Sequence, residues 1–178
     1  MPHPVLILTG PPGAGKSTVA SLLAGRTDLG VHLESDLFFH FVRAGHVEPW
    51  KAEAQEQNTA VMGIVAVAAT GYADAGYFTV IDGIISPRWF LEPLRETLRA
   101  AGHTVAYAVL RAPLEVCTAR AVSREARALA DTAVIEQLWR EFAELGALET
   151  HVLDSNENSA MAIAPEIMRR LAEGALDV

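Results

Sequence analysis

The chain has 178 residues, of which 51% are hydrophobic and 20% charged, and its formal net charge at pH 7 is -8. This composition excludes a disordered chain and suits one globular domain that covers residues 1–178. The acidic excess argues against nucleic acid or an anionic membrane surface as the main partner. The single cysteine excludes an internal disulfide, and the apolar stretch at 61–69 is too short to span a bilayer. We therefore expect a soluble, cytoplasmic protein.

Apolar runs and helical patterns alternate along the chain. Strands are predicted at 4–9, 31–35, 78–83, 104–110 and 151–154. Helices are predicted at 16–25, 37–42, 51–75, 87–101, 113–123, 132–144 and 160–172. The long helix at 51–75 is open to a break near Gly63 or Gly71. The alternation predicts an α/β fold, a parallel sheet with helices on both faces, in which ligands bind beyond the carboxyl ends of the strands.

The first predicted strand runs into a Gly- and Pro-rich loop. Gly10, Gly15, Lys16 and Ser17 have the spacing of a phosphate-binding P-loop. Such a loop lets a polyphosphate approach backbone N–H groups, and the positive end of the next helix faces the phosphates. The lysine adds a charge beside the terminal phosphates, and the serine hydroxyl is placed to bind Mg²⁺. The residues expected to bind the nucleotide here are Gly10, Pro12, Gly13, Ala14, Gly15, Lys16, Ser17 and Thr18.

The loop and three later motifs resemble the small P-loop kinases, an AAA-type ATP-binding family. The later motifs are Ser35-Asp36, Ile81-Asp82-Gly83, and the run from Val109 to Glu115, which is followed by spaced arginines. The most similar groups are the zeta-toxin-like and chloramphenicol-phosphotransferase-like proteins. The resemblance implies a three-layer fold with a five-stranded parallel sheet and an arginine-containing lid at about residues 120–135. It also implies ATP with Mg²⁺ and transfer of the terminal phosphoryl group to a small acceptor.

Asp36 is the residue expected to act as general base. A carboxylate within hydrogen-bond reach can take the proton of an acceptor hydroxyl during phosphoryl transfer. The residue follows the second strand, which is expected beside the first, and its counterpart in the resembled family is the proposed base. A cap on a helix that begins at Leu37 is the structural alternative. Glu34 is a nearby alternative base, although strand alternation is expected to point it away from the side chain of Ser35.

Three further charged residues end the third, fourth and fifth predicted strands. Asp82 resembles the acid that orients Mg²⁺ or its waters, and it is predicted to bind metal together with Ser17; a turn residue before a glycine is its alternative role. Arg111 is expected to contact the adenine or the phosphates, or else to pair with a carboxylate. Asp154 lies where the resembled family has its adenine loop, which predicts a nucleotide contact.

Spaced arginines follow the fourth strand. Arg120, Arg124 and Arg127 are separated by four and three residues and can share one helical face. Small P-loop kinases carry lid arginines here, which neutralise charge on the transferred phosphate. The resemblance therefore assigns Arg120 and Arg124, with Lys16, to catalysis, and Arg120 also to nucleotide binding. A solvated face paired with neighbouring acids is the alternative.

Aromatic and polar residues between the second and fourth strands are expected to form the acceptor pocket. They are Phe38, Phe39, Phe41, Trp50, Gln57, Asn58 and the 84–90 segment with Arg88 and Trp89. Aromatic residues at such spacing also serve as plain core.

The leading functional hypothesis is an ATP-dependent kinase that phosphorylates a hydroxyl of a small molecule, such as a sugar, a nucleoside or an antibiotic. A nucleoside or nucleotide kinase is an alternative, although Arg43, Lys51 and Arg88 are the only cations of the acceptor segment. A regulatory NTPase without an acceptor, which would need no base, is another, and so is a toxin that acts on a sugar nucleotide. The sequence leaves open the acceptor, the choice between ATP and GTP, and whether the protein is a monomer or a homodimer.

Overall fold

The computed structural model describes residues 3–123 and 131–178, and within these ranges five parallel strands form one sheet. The strands are β1 (Val5–Thr9), β2 (Gly30–Glu34), β3 (Phe78–Asp82), β4 (Val105–Arg111) and β5 (Val152–Asp154). Their order across the sheet is β2-β3-β1-β4-β5, and each neighbouring pair is parallel. The predicted α/β fold with a five-stranded parallel sheet is confirmed.

Helices connect these strands and cover both faces of the sheet. They are α1 (Lys16–Ala24), α2 (Ser35–His40), α3 (Gln55–Asp74), α4 (Leu91–Ala100), α5 (Leu114–Val122), α6 (Thr132–Arg140) and α7 (Ala160–Ala172). Short 3-10 helices lie at Ala52–Ala54 and Gly146–His151. Among the residues that the structure describes, no helix is both long enough and apolar enough to cross a membrane.

Helices α2 and α4 begin elsewhere than predicted, and α3 begins at Gln55 and not at residue 51 but is continuous where a break was considered. Helix α2 begins at Ser35, so Asp36 lies inside its first turn. Helix α4 begins at Leu91 and not at Pro87, because residues 87–90 form a turn in which Trp89 N–H donates to Ser86 O at 2.9 Å. Phe90 ends that turn with a left-handed φ of 62°. Helix α3 runs unbroken through its two glycines.

The order of the strands corrects one expectation. β3, and not β2, lies beside β1 on this side of the sheet. Asp82 at the end of β3 is in register with Leu8 of β1 and with Glu34 of β2. The acid of β3 is therefore placed between the phosphate loop and the end of β2, and Asp36 lies one strand further out than the sequence suggested.

Alternating residues of β1 separate the core into two layers. Val5 and Ile7 pack with residues of α3 and α4, whereas Leu6 and Leu8 pack with residues of α1 and α7. All five residues of β1 are buried, as expected for a central parallel strand with helices on both faces. The strand that leads into the phosphate loop is thus fixed by packing on both sides.

Two glycines give a matched test of this packing. A Cβ at Gly30 would lie 1.9 Å from the carbonyl oxygen of Ala24, so Gly30→Ala forces the end of α1 away from β2. We expect it to lower the free energy of unfolding by about 1–3 kcal/mol. A Cβ at Gly63 meets nothing within 4 Å, and Gly63→Ala should raise that free energy by about 0.5–1 kcal/mol. Urea unfolding measures the free energy of unfolding of the two variants. Equal changes in the two would contradict the close approach of Gly30 to the carbonyl oxygen of Ala24.

Candidate active site

A cleft of about 830 Å³ lies at the carboxyl ends of β1, β2 and β3. Its walls come from six places: the phosphate loop, the start of α2, the segment before α3 with the first turn of α3, the loop after β3, Ala121 of α5, and α6 with its end. Acidic side chains lining it are Glu34, Asp36, Glu48, Asp82 and Glu141. Basic side chains lining it are Lys16, Lys51 and Arg88. Residues distant in sequence therefore meet at the sheet edge where a ligand was predicted.

The phosphate loop packs closely on the strand and helix behind it. A Cβ at Gly10 would lie 2.1 Å from Leu110 O, and one at Gly13 would lie 2.1 Å from Cys117 O. Both glycines also have positive φ, 141° and 79° respectively, so no other residue fits the conformation without strain. Lys16 Nζ donates to Pro11 O at 3.1 Å, which folds the lysine back over its own loop.

The loop presents only part of the predicted nucleotide-binding set to the cleft. Pro12, Gly13, Lys16 and Ser17 line it. Gly10 and Ala14 are buried beneath the loop. Gly15 takes the left-handed conformation just before α1, and Thr18 is exposed on that helix. Assignment of these eight residues to a nucleotide remains a prediction.

Asp36 faces the cleft from the first turn of α2. The residue before this helix is Glu34, and no side chain caps its first turn, so the alternative of a capping Asp36 is wrong. Asp36 is exposed at the surface of the cleft, although the protein atoms packed around its carboxylate displace part of its hydration. Burial is the main cause that raises the pKa of Asp36; Asp82 and Glu34 also raise this pKa, and Lys16 and His40 lower it.

Asp82 is 4% exposed and is held by a histidine that the sequence did not single out. Asp82 Oδ2 lies 3.1 Å from His32 Nε2, two residues before the end of β2. The residue pattern of one strand does not reveal this contact, because the contact exists only when β2 lies beside β3. The same pairing brings Glu34, the alternative base, to the wall of the cleft that Asp36 also lines. The strand ends at Glu34, and α2 then turns Ser35 and Asp36 into the same cleft.

The oxygen donors at this end of the sheet suit Mg²⁺. Ser17 offers a hydroxyl and Asp82 a carboxylate, and both line the cleft. In the ranges 3–123 and 131–178, no group of three or more His, Cys, Asp or Glu side chains could enclose a metal. Magnesium is commonly held by one or two protein oxygens together with substrate phosphates and water, which this donor set fits.

On the acceptor side, seven of the predicted positions line the cleft. They are Phe39, Trp50, Asn58, Ile84, Ser86, Arg88 and Trp89. Phe38 and Phe41 instead pack on each other with ring centroids 5.8 Å apart, and Phe41 is 72% exposed. Sequence reasoning missed several polar lining residues, which carry no motif of their own: His40, His46, Glu48, Gln55, Gln137 and Glu141.

Buried hydroxyls fix the loop after β3 that carries part of this wall. Ile85 N–H donates to Thr9 Oγ1 at 2.8 Å, and Tyr107 OH donates to Ile85 O at 2.8 Å. Ser86 Oγ donates to Glu141 Oε2 at 3.1 Å, which joins the loop to the end of α6. The acceptor wall is thus tied to the central strands and not left as a free loop.

The sequence match to a family model identifies the family of this chain. The family model AAA_33, an AAA domain, matches residues 5–145. The chain belongs to this AAA-domain family. No curated protein sequence matches it.

Solved structures resemble this AAA-domain chain over nearly its whole length. A sugar kinase from Janibacter sp. HTCC2649 is 23% identical, with 98% of this chain and 99% of that chain covered and a TM-score of 0.68. A gluconokinase from Sinorhizobium meliloti 1021 is 17% identical, with 98% and 94% covered and a TM-score of 0.73. The tunicamycin resistance protein of Deinococcus radiodurans is 19% identical, with 95% of each chain covered and a TM-score of 0.68. The shared feature is the fold of the small P-loop kinases, which confirms the resemblance.

Arg111 departs from its expected nucleotide contact. Its guanidinium binds Glu149 through two hydrogen bonds, of 3.0 Å from Nη1 and 2.8 Å from Nη2, and Nη1 also donates to Phe142 O at 2.9 Å. The structure therefore shows the second of the two interpretations, a pair with a carboxylate. Arg111 and Glu149 are 38 positions apart in the sequence, so no local pattern reveals the partner.

Arg120 and Asp154 also make contacts within the protein. Arg120 Nη1 donates to Ser155 O at 2.9 Å, which joins α5 to the loop after β5. Asp154 Oδ1 accepts from Asn156 N–H at 2.6 Å, and this shapes the same loop. Their assignment to nucleotide binding, and that of Arg120 to catalysis, stays a prediction. Arg124 and Arg127, with residues 124–130 of the expected lid at 120–135, lie outside the described residues.

The Arg111–Glu149 pair predicts an acid-dependent loss of stability. The hydrogen bond from Arg111, with a second from Leu145 N–H, lowers the pKa of Glu149 to about 2. A lowered pKa contributes stability above the ordinary value of 4.5, and this contribution is lost as pH falls towards 2. Glu149→Gln should therefore be less stable than the wild type at pH 7, with a difference that shrinks below pH 4.5. Thermal unfolding over this pH range tests it, with the exposed Glu53→Gln as control.

The raised pKa of Asp36 predicts the opposite dependence of stability on pH, a loss of stability as the pH rises. Below the ordinary value of 3.8 both folded and unfolded chains are protonated, and above it the unfolded chain ionises first. Ionised Asp36 therefore costs stability as pH rises through its folded-state pKa. Asp36→Asn should be more stable than the wild type at pH 7, and the gain should vanish below pH 3.8. Urea unfolding at both pH values measures this, and a variant less stable at pH 7 would contradict the desolvation of the carboxylate.

Proposed function

We propose that this AAA-domain protein is an ATP-dependent phosphotransferase that moves the γ-phosphoryl group to a hydroxyl of a small molecule. One observation carries the proposal: the phosphate-loop lysine and a desolvated carboxylate line the same cleft. Lys16 is the strongest opposite charge acting on the pKa of Asp36. A phosphate-binding group and a proton acceptor are thus near each other at the place where an acceptor hydroxyl would lie.

Each residue then has a defined role. Backbone N–H groups of the loop and the Nζ of Lys16 bind the phosphates and stabilise the charge of the transferred group. Asp36 accepts the proton of the acceptor hydroxyl, whose oxygen forms a bond to phosphorus as the bond to the leaving oxygen of ADP breaks. A raised pKa makes the carboxylate a stronger base than an exposed aspartate, provided that it is ionised at the working pH.

Mg²⁺ would be held by Ser17 and Asp82. The bound ion supplies positive charge to the phosphate oxygens of the nucleotide. His32 restrains Oδ2 of Asp82, which fixes the direction of the carboxylate. The proposal includes ATP and Mg²⁺ as cofactors, a small hydroxyl-bearing molecule as partner, and the cytoplasm as location. The names of the similar structures, a sugar kinase and a gluconokinase, support it.

The test is ADP release with ATP and Mg²⁺ across a panel of hydroxylated small molecules. We expect at least one acceptor to stimulate turnover, and Asp36→Asn to lower kcat by about 10²–10⁴ with that acceptor. Glu34→Gln is the matched control, since Glu34 lines the same cleft two residues away and is the alternative base. In the wild type, kcat should rise with pH as Asp36 loses its proton.

The two variants separate the possible outcomes. Loss of turnover in Glu34→Gln with turnover retained in Asp36→Asn would move the base to Glu34. Slow ADP release that no acceptor stimulates, and that neither variant changes, would contradict phosphoryl transfer and favour a regulatory NTPase.

A further inference from the structure

A buried amide in the cleft wall has one unused hydrogen-bond acceptor. Asn58 lies in the first turn of α3 and is 1% exposed. Its Nδ2 donates to Pro49 O at 2.8 Å. Because a carbonyl can only accept, this bond fixes which end of the amide is nitrogen, and the other end is the oxygen Oδ1. In the part of the chain that the structure describes, Oδ1 is buried and has no hydrogen-bond partner.

An unpaired buried carbonyl is costly and calls for a physical reason. Native proteins pair nearly all buried polar side-chain atoms, because an unpaired one loses its bonds to water and gains nothing in return. An apolar residue at this position would avoid the cost. Asn58 is also one of the residues that line the cleft, so a ligand there is in a position to supply the missing donor.

The wall around Asn58 is held in place by the preceding residue. Gln57 Oε1 accepts from Val47 N–H at 2.9 Å, and its Nε2 donates to Val47 O at 2.6 Å. Together with the bond from Asn58 to Pro49 O, these bonds anchor the segment at 46–51 to the start of α3. This segment brings His46, Glu48, Trp50 and Lys51 to the cleft. The orphan oxygen thus belongs to an anchored wall, which is the kind of surface that can select a ligand.

We propose that Asn58 is a specificity-determining residue, whose Oδ1 accepts a hydrogen bond from a hydroxyl of the acceptor other than the one that is phosphorylated. The inference rests on the proposed function and narrows it. The reacting hydroxyl gives its proton to Asp36, so a donor for Asn58 must be a second group on the same molecule. The acceptor is therefore at least a diol, whose second hydroxyl supplies the donor that the protein does not give to Oδ1.

The experiment compares acceptors that differ by one hydroxyl. The probe is the most effective acceptor of the panel, together with a set of deoxy analogues that each lack one non-reacting hydroxyl. For the wild type, kcat/KM should fall about 10- to 100-fold with one of these analogues, because its binding leaves Oδ1 unpaired. In Asn58→Leu, which has similar volume and no acceptor atom, the full acceptor and that analogue should react within about 3-fold of each other.

Gln57→Leu is the matched control. It breaks the two bonds to Val47 without removing Oδ1, so it should lower kcat/KM for both molecules together and keep the wild-type ratio between them. The KM for ATP should be unchanged in Asn58→Leu, since the residue lies on the acceptor side. If Asn58→Leu does not fold, Asn58→Ala replaces it. The wild-type series needs no variant to overturn the inference, because equal rates with all deoxy analogues would be enough.

Three results would overturn the inference. A wild type that loses no rate with any deoxy analogue has no residue that recognises a second hydroxyl. An Asn58→Leu variant that slows both molecules equally shows a structural role only. In either case acceptor-stimulated turnover persists and the proposed function stands. Absence of stimulation by any acceptor in the wild type would instead remove the proposed function, and this inference with it.

Discussion

The site depends on the close contact between the phosphate loop and the backbone behind it. Gly10 and Gly13 approach the carbonyl oxygens of Leu110 and Cys117 so closely that a single added carbon would lie 2.1 Å from either oxygen. The loop is thereby fixed on β4 and α5, while β1 before it is buried on both faces. A phosphate site needs N–H groups that are already oriented, because reorienting them during the reaction would cost free energy. Packing supplies that orientation here.

A second constraint is electrostatic. Parallel strands that end at one edge bring Glu34, Asp36 and Asp82 towards a single lysine. Like charges and desolvation raise the pKa of Asp36, and this opposes folding at neutral pH. The same arrangement brings the proposed proton acceptor and the proposed Mg²⁺ ligand to one edge of the sheet. The groups proposed for the reaction thus lower the free energy of unfolding.

The local features of the chain were predictable from the sequence. The P-loop spacing, the five strands and the bounds of α7 follow from short-range patterns of glycine and apolar residues. The predicted bounds of helices and strands were wrong where tertiary contacts override the local preference of the sequence. Pro87 resembles a helix start, but the turn at 87–90 is held by Ile85 and Ser86, which bond to three different parts of the fold. β2 also ends one residue earlier than predicted, at Glu34.

The sequence by itself determined the phosphate loop, the alternation of strands and helices, and the acids at the strand ends. All of these are encoded within a few consecutive residues. Only the tertiary structure decided that β3 lies between β1 and β2, that Arg111 pairs with Glu149, and that His32 holds Asp82. It also decided that Asn58 keeps an unpaired oxygen at the cleft. The side-chain hydrogen bonds of His32, Asn58 and Arg111 join residues that are 9 to 50 positions apart, and such pairs are set by how layers pack and not by any local pattern.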